Sequence, residues 1–336
     1  VDLAPELALA KLRCAPFHAS TGADPVGSAG AYDAFLVVEV PLPWERDISA
    51  HEPFASLMAT APSVTGDDGR RWRPMGVVPE DRGDGRVRVT AFELPEGRRR
   101  AFDRREWLVE PDGVVELCRG LLAAAPGRAR VPERAEEVEV PEGVVDLLIC
   151  THGRRDACCG SQGAAVHQEL GGLLGGDPTV RLRRCSHTGG HRFAATAVSF
   201  PDGYAWAHLD ADVALRVARR SVPPHELAAH CRGSSLFDGG PAQAADRVGL
   251  AQVGWDWVEA ERTAVVVAHE RDTLATTVRV RGEVPDGRCW AWDVRVEVER
   301  WVPTPTCGAV EAPEFTVEPV WSVTGIDALP DAGVGQ

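Results

Sequence analysis

Residues 145 to 192 constrain the fold more than any other stretch. The run Val145-Asp146-Leu147-Leu148-Ile149-Cys150 is short and apolar, so it reads as a buried strand that delivers Cys150 to its end. Thr151-His152-Gly153-Arg154-Arg155-Asp156-Ala157 follows, then the vicinal pair Cys158-Cys159, then Gly160-Ser161-Gln162-Gly163. A helical stretch from about 163 to Leu174 leads through a glycine-rich turn to a second strand, Thr179 to Arg184. That strand ends in Cys185-Ser186-His187-Thr188-Gly189-Gly190-His191-Arg192-Phe193. Thiols and imidazoles are therefore concentrated at two strand ends and in two glycine-rich loops. These are costly residue types for loops unless something binds them.

The flanking sequence carries related patterns. Ala31 to Val40, Trp72 to Val78 and Arg86 to Leu94 read as strands, Pro53 to Ala61 as a weak helix and Val114 to Ala125 as a helix closed by Pro126-Gly127. Phe193 to Phe200 and Tyr204 to Leu209 form a hairpin across Pro201-Asp202-Gly203, and Ala211 to Arg220 a helix. Both stretches run roughly β-α-β-β-α, which suggests an internal duplication with the Cys/His set in the second copy only. A further helical pattern, Leu3 to Leu12, opens the chain. Residues 255 to 303 alternate, are rich in Val, Trp, Thr and Arg, and carry another hairpin signal at Pro285-Asp286-Gly287, so this tail reads as a β-rich extension whose tryptophans pack. The expected class is α/β (α+β), with an N-terminal unit at 1–138, the Cys/His unit at 139–232 and the extension at 233–336.

Charge and cysteine usage narrow the function. A net charge of −14 argues against a nucleic-acid binder, because phosphate contacts need a basic face. No apolar run reaches the roughly 18 to 20 residues of a membrane span. The first residues show no signal-peptide pattern, so a cytoplasmic location is expected. Nine cysteines is an odd count, and four fall between 150 and 185. That crowding favours metal or redox use over a disulfide framework.

The segments Cys150 to Gly160 and Cys185 to Phe193 resemble the sucrase/ferredoxin-like family, and in particular its bis-histidinyl branch, with its His-x-Gly-Gly-His pattern at His187 to His191. The match is specific over about residues 145 to 205 and looser over the N-terminal unit, Arg232-Gly233 and Cys307-Gly308. The resemblance implies a thioredoxin-like ferredoxin domain, preceded by a degenerate second thioredoxin-like unit. It also implies one [2Fe–2S] cluster, with Cys150 and Cys159 on one iron and His187 and His191 on the other. His152, Arg155, Cys158 and Arg192, with Arg154, are candidates for surrounding the cluster. Cys185 reads as a buried strand residue. The glycines between the two histidines would let the backbone approach a bulky inorganic core.

These readings lead to an electron-transfer protein with a protein redox partner and no substrate of its own. Imidazole in place of thiolate would raise the potential. Its remaining N–H would couple electron to proton transfer, so the potential would fall as pH rises. A structural zinc site also fits two Cys and two His. A thiol–disulfide enzyme fits the fold, but the chain has no Cys-x-x-Cys. The Cys-x-His pairs at 150–152 and 185–187 resemble Rieske ligation but lack its Cys-x2-His and β-rich fold. No P-loop, dinucleotide fingerprint, hydrolase triad or carboxylate pair stands out.

Overall fold

A computed structural model describes residues 13–59, 65–66, 68–270, 273–305 and 316–330. The Leu3 to Leu12 helical pattern and Cys307-Gly308 lie outside the described residues.

The apolar runs become central strands. β1 (Ala34–Glu39) and β6 (Val145–Cys150) are buried at every position, which is why they lack the alternation of a half-exposed strand. β1 pairs in parallel with β2 (Trp72–Val77) on one side and antiparallel with β3 (Val87–Glu93) on the other. β3 continues to β4 (Asp103–Val109) and β5 (Ala135–Glu137). The second half repeats this order. β6 pairs in parallel with β7 (Val180–Cys185) and antiparallel with β8 (Ala197–Phe200), which continues to β9 (Tyr204–Trp206) and β10 (Cys231–Ser234).

The two halves join edge to edge into one ten-stranded sheet, ordered β10-β9-β8-β6-β7-β2-β1-β3-β4-β5. The seam is short. Val77 pairs with Cys185, Ser186 N–H donates to the Gly76 carbonyl at 2.7 Å, and the Ser186 hydroxyl accepts from Gly76 N–H at 3.0 Å. The duplication suspected from element order is thus a duplication of pairing as well. The sequence reading passed over β4, because Asp103-Arg104-Arg105-Glu106 looks like a solvated loop. Glu106 is in fact fully buried, paired to Arg88 and, at 2.7 Å, to Arg181 of the other half.

Helices cover the sheet. α2 (Phe54–Met58) and α3 (Val114–Ala123) pack on the first half; α4 (Ala164–Leu174), α5 (Ala211–Arg219) and α6 (Gly240–Val253) belong to the second. A separate antiparallel sheet, β11 (Glu261–Glu270), β12 (Ala275–Glu283), β13 (Cys289–Thr304) and β14 (Thr316–Ala328), forms the C-terminal extension. It is no loose appendage. Asp246 of α6 accepts from Tyr204 at 2.6 Å, from Trp257 at 2.9 Å and from Arg262 at 3.0 Å, and all four side chains are fully buried. Trp257 lies flat on Gly249 and Gly282, where a Cβ would come within 2.9 Å and 2.5 Å of its Cη2.

Candidate metal centre

The site lies where β6 and β7 end, beside the seam. Cys150 closes β6 and is fully buried. The following loop folds back and enters a helix earlier than the sequence pattern suggests. Asp156 caps that helix, accepting from the N–H of Cys158 at 2.9 Å and of Cys159 at 3.3 Å. Residues Cys159–Gly163 form a π turn that passes directly into α4. Such insertions aim a side chain differently from a regular helix and recur at functional sites. Here the turn presents fully buried Cys159 to Cys150.

Close backbone packing holds this arrangement. A Cβ on Gly163 would overlap the carbonyl oxygen of Cys150 and lie 3.1 Å from its carbon. A Cβ on Gly160 would meet the Cα of Gly153 at 2.5 Å. The glycines therefore let the helix start lie directly against the strand end.

Electrostatics distinguish the two thiols. Hydrogen bonding from Cys159 pulls Cys150 well below the usual thiol range against the opposing effect of burial, with His187 assisting. Cys159, donating to Cys150 and buried, is pushed far upward. Of the two, Cys150 is the thiol whose surroundings favour the thiolate, the form that binds metal. Cys185 is pushed up by burial and sits at the seam, in keeping with a strand residue.

The second loop brings the imidazoles in. The His187 and His191 ring centroids are 6.2 Å apart. His187 Nδ1 is buried without a hydrogen-bond partner among the described residues. His191 Nδ1 lies 3.1 Å from Asp156 and 3.2 Å from the Cys14 sulfur, which leaves Nε2 as its free ligand atom. A carboxylate on the far nitrogen is the usual way a metal-binding histidine is oriented. Gly189 and Gly190 adopt φ of +81° and +65°. The bare face of Gly190 turns out to be occupied by Arg232, whose Nε would lie 2.8 Å from a Cβ there. Arg232 is 1% exposed and donates to Gly189 O at 3.1 Å, Ser28 O at 2.5 Å and Ser28 Oγ at 3.1 Å. The glycine pair thus makes room for a guanidinium under the loop.

The side chains of the remaining candidates have other partners, although the backbone N–H of His152 donates to Cys150. His152 Nε2 donates to the Glu45 carbonyl at 2.8 Å, and its ring stands edge-on to Trp44 at 5.4 Å. Arg192 pairs with Glu318 of β14 and lies over Phe193. Arg154 and Arg155 are exposed. Cys158 is buried, its sulfur 3.9 Å from that of Cys14.

Two residues at the centre escaped the sequence reading. Cys14 opens α1 (Cys14–Ser20) and lies 142 positions before Asp156 in the chain. Asp156 had a usable signal: an Asp immediately before a helix start, in a loop already singled out. Cys14 had none, because its neighbours carry no ligand pattern. Cys14, Asp156 and His191 offer ligand atoms within 4.8 Å of one another, a set able to hold a metal ion. The donor chemistry of the site, with paired buried sulfurs and an unpartnered imidazole nitrogen, fits an iron–sulfur group as well. Among the described residues no helix is long and apolar enough to cross a membrane.

Comparison with curated proteins and with solved structures returns no match. The sucrase/ferredoxin-like family model matches residues 25–233. That interval runs from before β1 to Gly233 of β10, so it takes in all of the ten-stranded sheet but the last residue of β10, and it excludes Cys14 and the C-terminal sheet. With more than half of its length matched, the chain belongs to the sucrase/ferredoxin-like family.

Proposed function

We propose that this protein is a one-electron carrier holding a single [2Fe–2S] cluster on Cys150, Cys159, His187 and His191. The observation that carries the reading is the meeting of the Cys150–Cys159 pair with His187, whose Nδ1 is buried and unpartnered. When bound, the cluster supplies the redox couple. The chain's own residues do the rest. Burial of both sulfurs excludes water, Asp156 holds His191 through Nδ1, and Arg232 fixes the loop between the histidines. The electron donor or acceptor is a protein partner. Imidazole ligation supports a potential that falls as pH rises.

The grouping of Cys14, Asp156 and His191 favours a second reading, a mononuclear zinc site. EPR of dithionite-reduced protein, with His187→Cys and His191→Cys alongside wild type, separates the two. A [2Fe–2S] signal whose g-values shift in both variants supports the cluster and its histidine ligands. A signal indifferent to both substitutions removes the histidines from the ligand set. A colourless, EPR-silent protein containing stoichiometric zinc overturns the cluster reading.

A further inference from the structure

The ligand set is exposed unevenly, and this bears on where an electron leaves. Cys150 and Cys159 are shut off from solvent, His187 is half-buried, and the His191 side chain is 28% exposed. A partner therefore meets the centre at its imidazole edge. The rim of that edge is rich in arginine. Arg73 donates to the His187 carbonyl at 2.8 Å. Arg154 and Arg155 stand exposed on the loop between the two cysteines, and Arg155 acts electrostatically on His152 and Asp47. Arg46 is exposed beside Glu45, whose carbonyl holds His152. Arg13 is exposed and directly precedes Cys14.

Among the described residues the carboxylates nearby are fewer than the arginines: Glu45, Asp47, Asp156 and Glu318. Glu45 lies 3.5 Å from Arg154, both about half exposed, and a pair of that kind holds its partners weakly. Asp47 caps Ser49, Asp156 is buried on the helix start and His191, and Glu318 is taken by Arg192. Beneath the loop, the hydrogen bonds of Arg232 among the described residues go to neutral oxygens, with Cys159, Glu318 and Cys150 acting on it electrostatically. The neighbourhood is therefore locally positive on a chain whose net charge is −14.

We propose that the imidazole edge and its arginine rim form a docking surface for an electron-transfer protein with an acidic face around its own redox centre. The inference rests on the cluster reading above. An acidic partner is repelled by most of this molecule and attracted at one edge, so the contrast selects orientation as well as partner.

Small inorganic oxidants test this without knowledge of the partner. Dithionite-reduced holoprotein, freed of excess reductant, is mixed in a stopped-flow instrument with ferricyanide or with hexaamminecobalt(III) over a range of ionic strength. One electron passes from the protein to each oxidant, giving ferrocyanide or the cobalt(II) complex. The rim requires the ferricyanide rate to fall as salt rises and the cobalt rate to increase. Arg154→Glu with Arg155→Glu should lower the ferricyanide rate at low salt by about tenfold, with the visible spectrum unchanged. Arg46→Glu, on a separate segment, should act in the same direction. A wild-type ferricyanide rate that rises with salt, as the net charge dictates, overturns the proposal while leaving the cluster intact. A wild-type protein with no reducible chromophore removes the cluster reading itself, and the proposal with it.

Discussion

Gly163→Ala offers a sharp test of how the ligand loops are held. Gly163 has ordinary helical dihedrals, φ −64° and ψ −38°, so alanine meets no backbone strain there. Helix propensity alone would favour the change by about 1 kcal/mol. The opposing term is steric: the new methyl would overlap the Cys150 carbonyl oxygen and sit 3.1 Å from its carbon. Both atoms belong to the backbone of a central strand and cannot rotate away, so the helix start must shift. Overpacking of this kind costs about 1–3 kcal/mol and sometimes more. With a rigid neighbour the upper end applies, which leaves a net loss of about 2 kcal/mol. Gly172→Ala, in the same helix with no atom within 4 Å of the new methyl, is the control and should stabilise by about 0.5–1 kcal/mol. Urea unfolding of the metal-free variants, followed by circular dichroism, reads the difference of about 3 kcal/mol. Iron content after reconstitution should also fall in Gly163→Ala, because the shift carries Cys159 away from Cys150. Equal midpoints for the two variants would refute the claimed close packing.

Asp156→Asn keeps the helix cap but removes the carboxylate from His191, so stability should change by less than about 1 kcal/mol while the g-values of the reduced protein shift; unchanged g-values would take His191 off the iron. His18 is buried against Phe193, with ring centroids 4.5 Å apart, and burial followed by Arg192 lowers its pKa to about 4. The unfolded chain then binds the extra proton first, so stability is full above about pH 6.5 and declines towards pH 4, by about 2 kcal/mol at pH 5. His18→Phe should flatten that part of the stability profile, and an unchanged slope between pH 6.5 and 4 would contradict the assignment. Asp246→Leu strands the fully buried Arg262 and should cost about 3–5 kcal/mol, read as a lowered denaturation midpoint with red-shifted tryptophan emission; a loss below about 1 kcal/mol would show the network to be dispensable.

Much of the architecture was readable before any coordinates. β1 and β6 announce themselves because a strand buried on both faces has no polar alternation to keep. The Pro201-Asp202-Gly203 and Pro285-Asp286-Gly287 turns mark hairpins, since each closes with a glycine at positive φ. Cys150, Cys159, His187 and His191 were legible as candidates because sulfur and imidazole in glycine-rich loops have few other uses. The helix from Ala164 to Leu174 was legible as well, but the π turn and the Asp156 cap before it were not, because a π turn breaks the 3.6-residue period that marks a helix.

The sequence by itself determined the central strands, the hairpins, the repeated order of elements and the loops that carry thiol and imidazole. These follow from local patterns: backbone period, turn chemistry and residue type within a few positions. Only the tertiary structure decided that the two repeats share one sheet through a seam at Val77 and Cys185, and that Arg232 lies under Gly190. It also decided that Cys14 reaches His191 across 177 positions of chain. Such contacts depend on which surfaces remain after local structure has formed, and no short-range pattern encodes that.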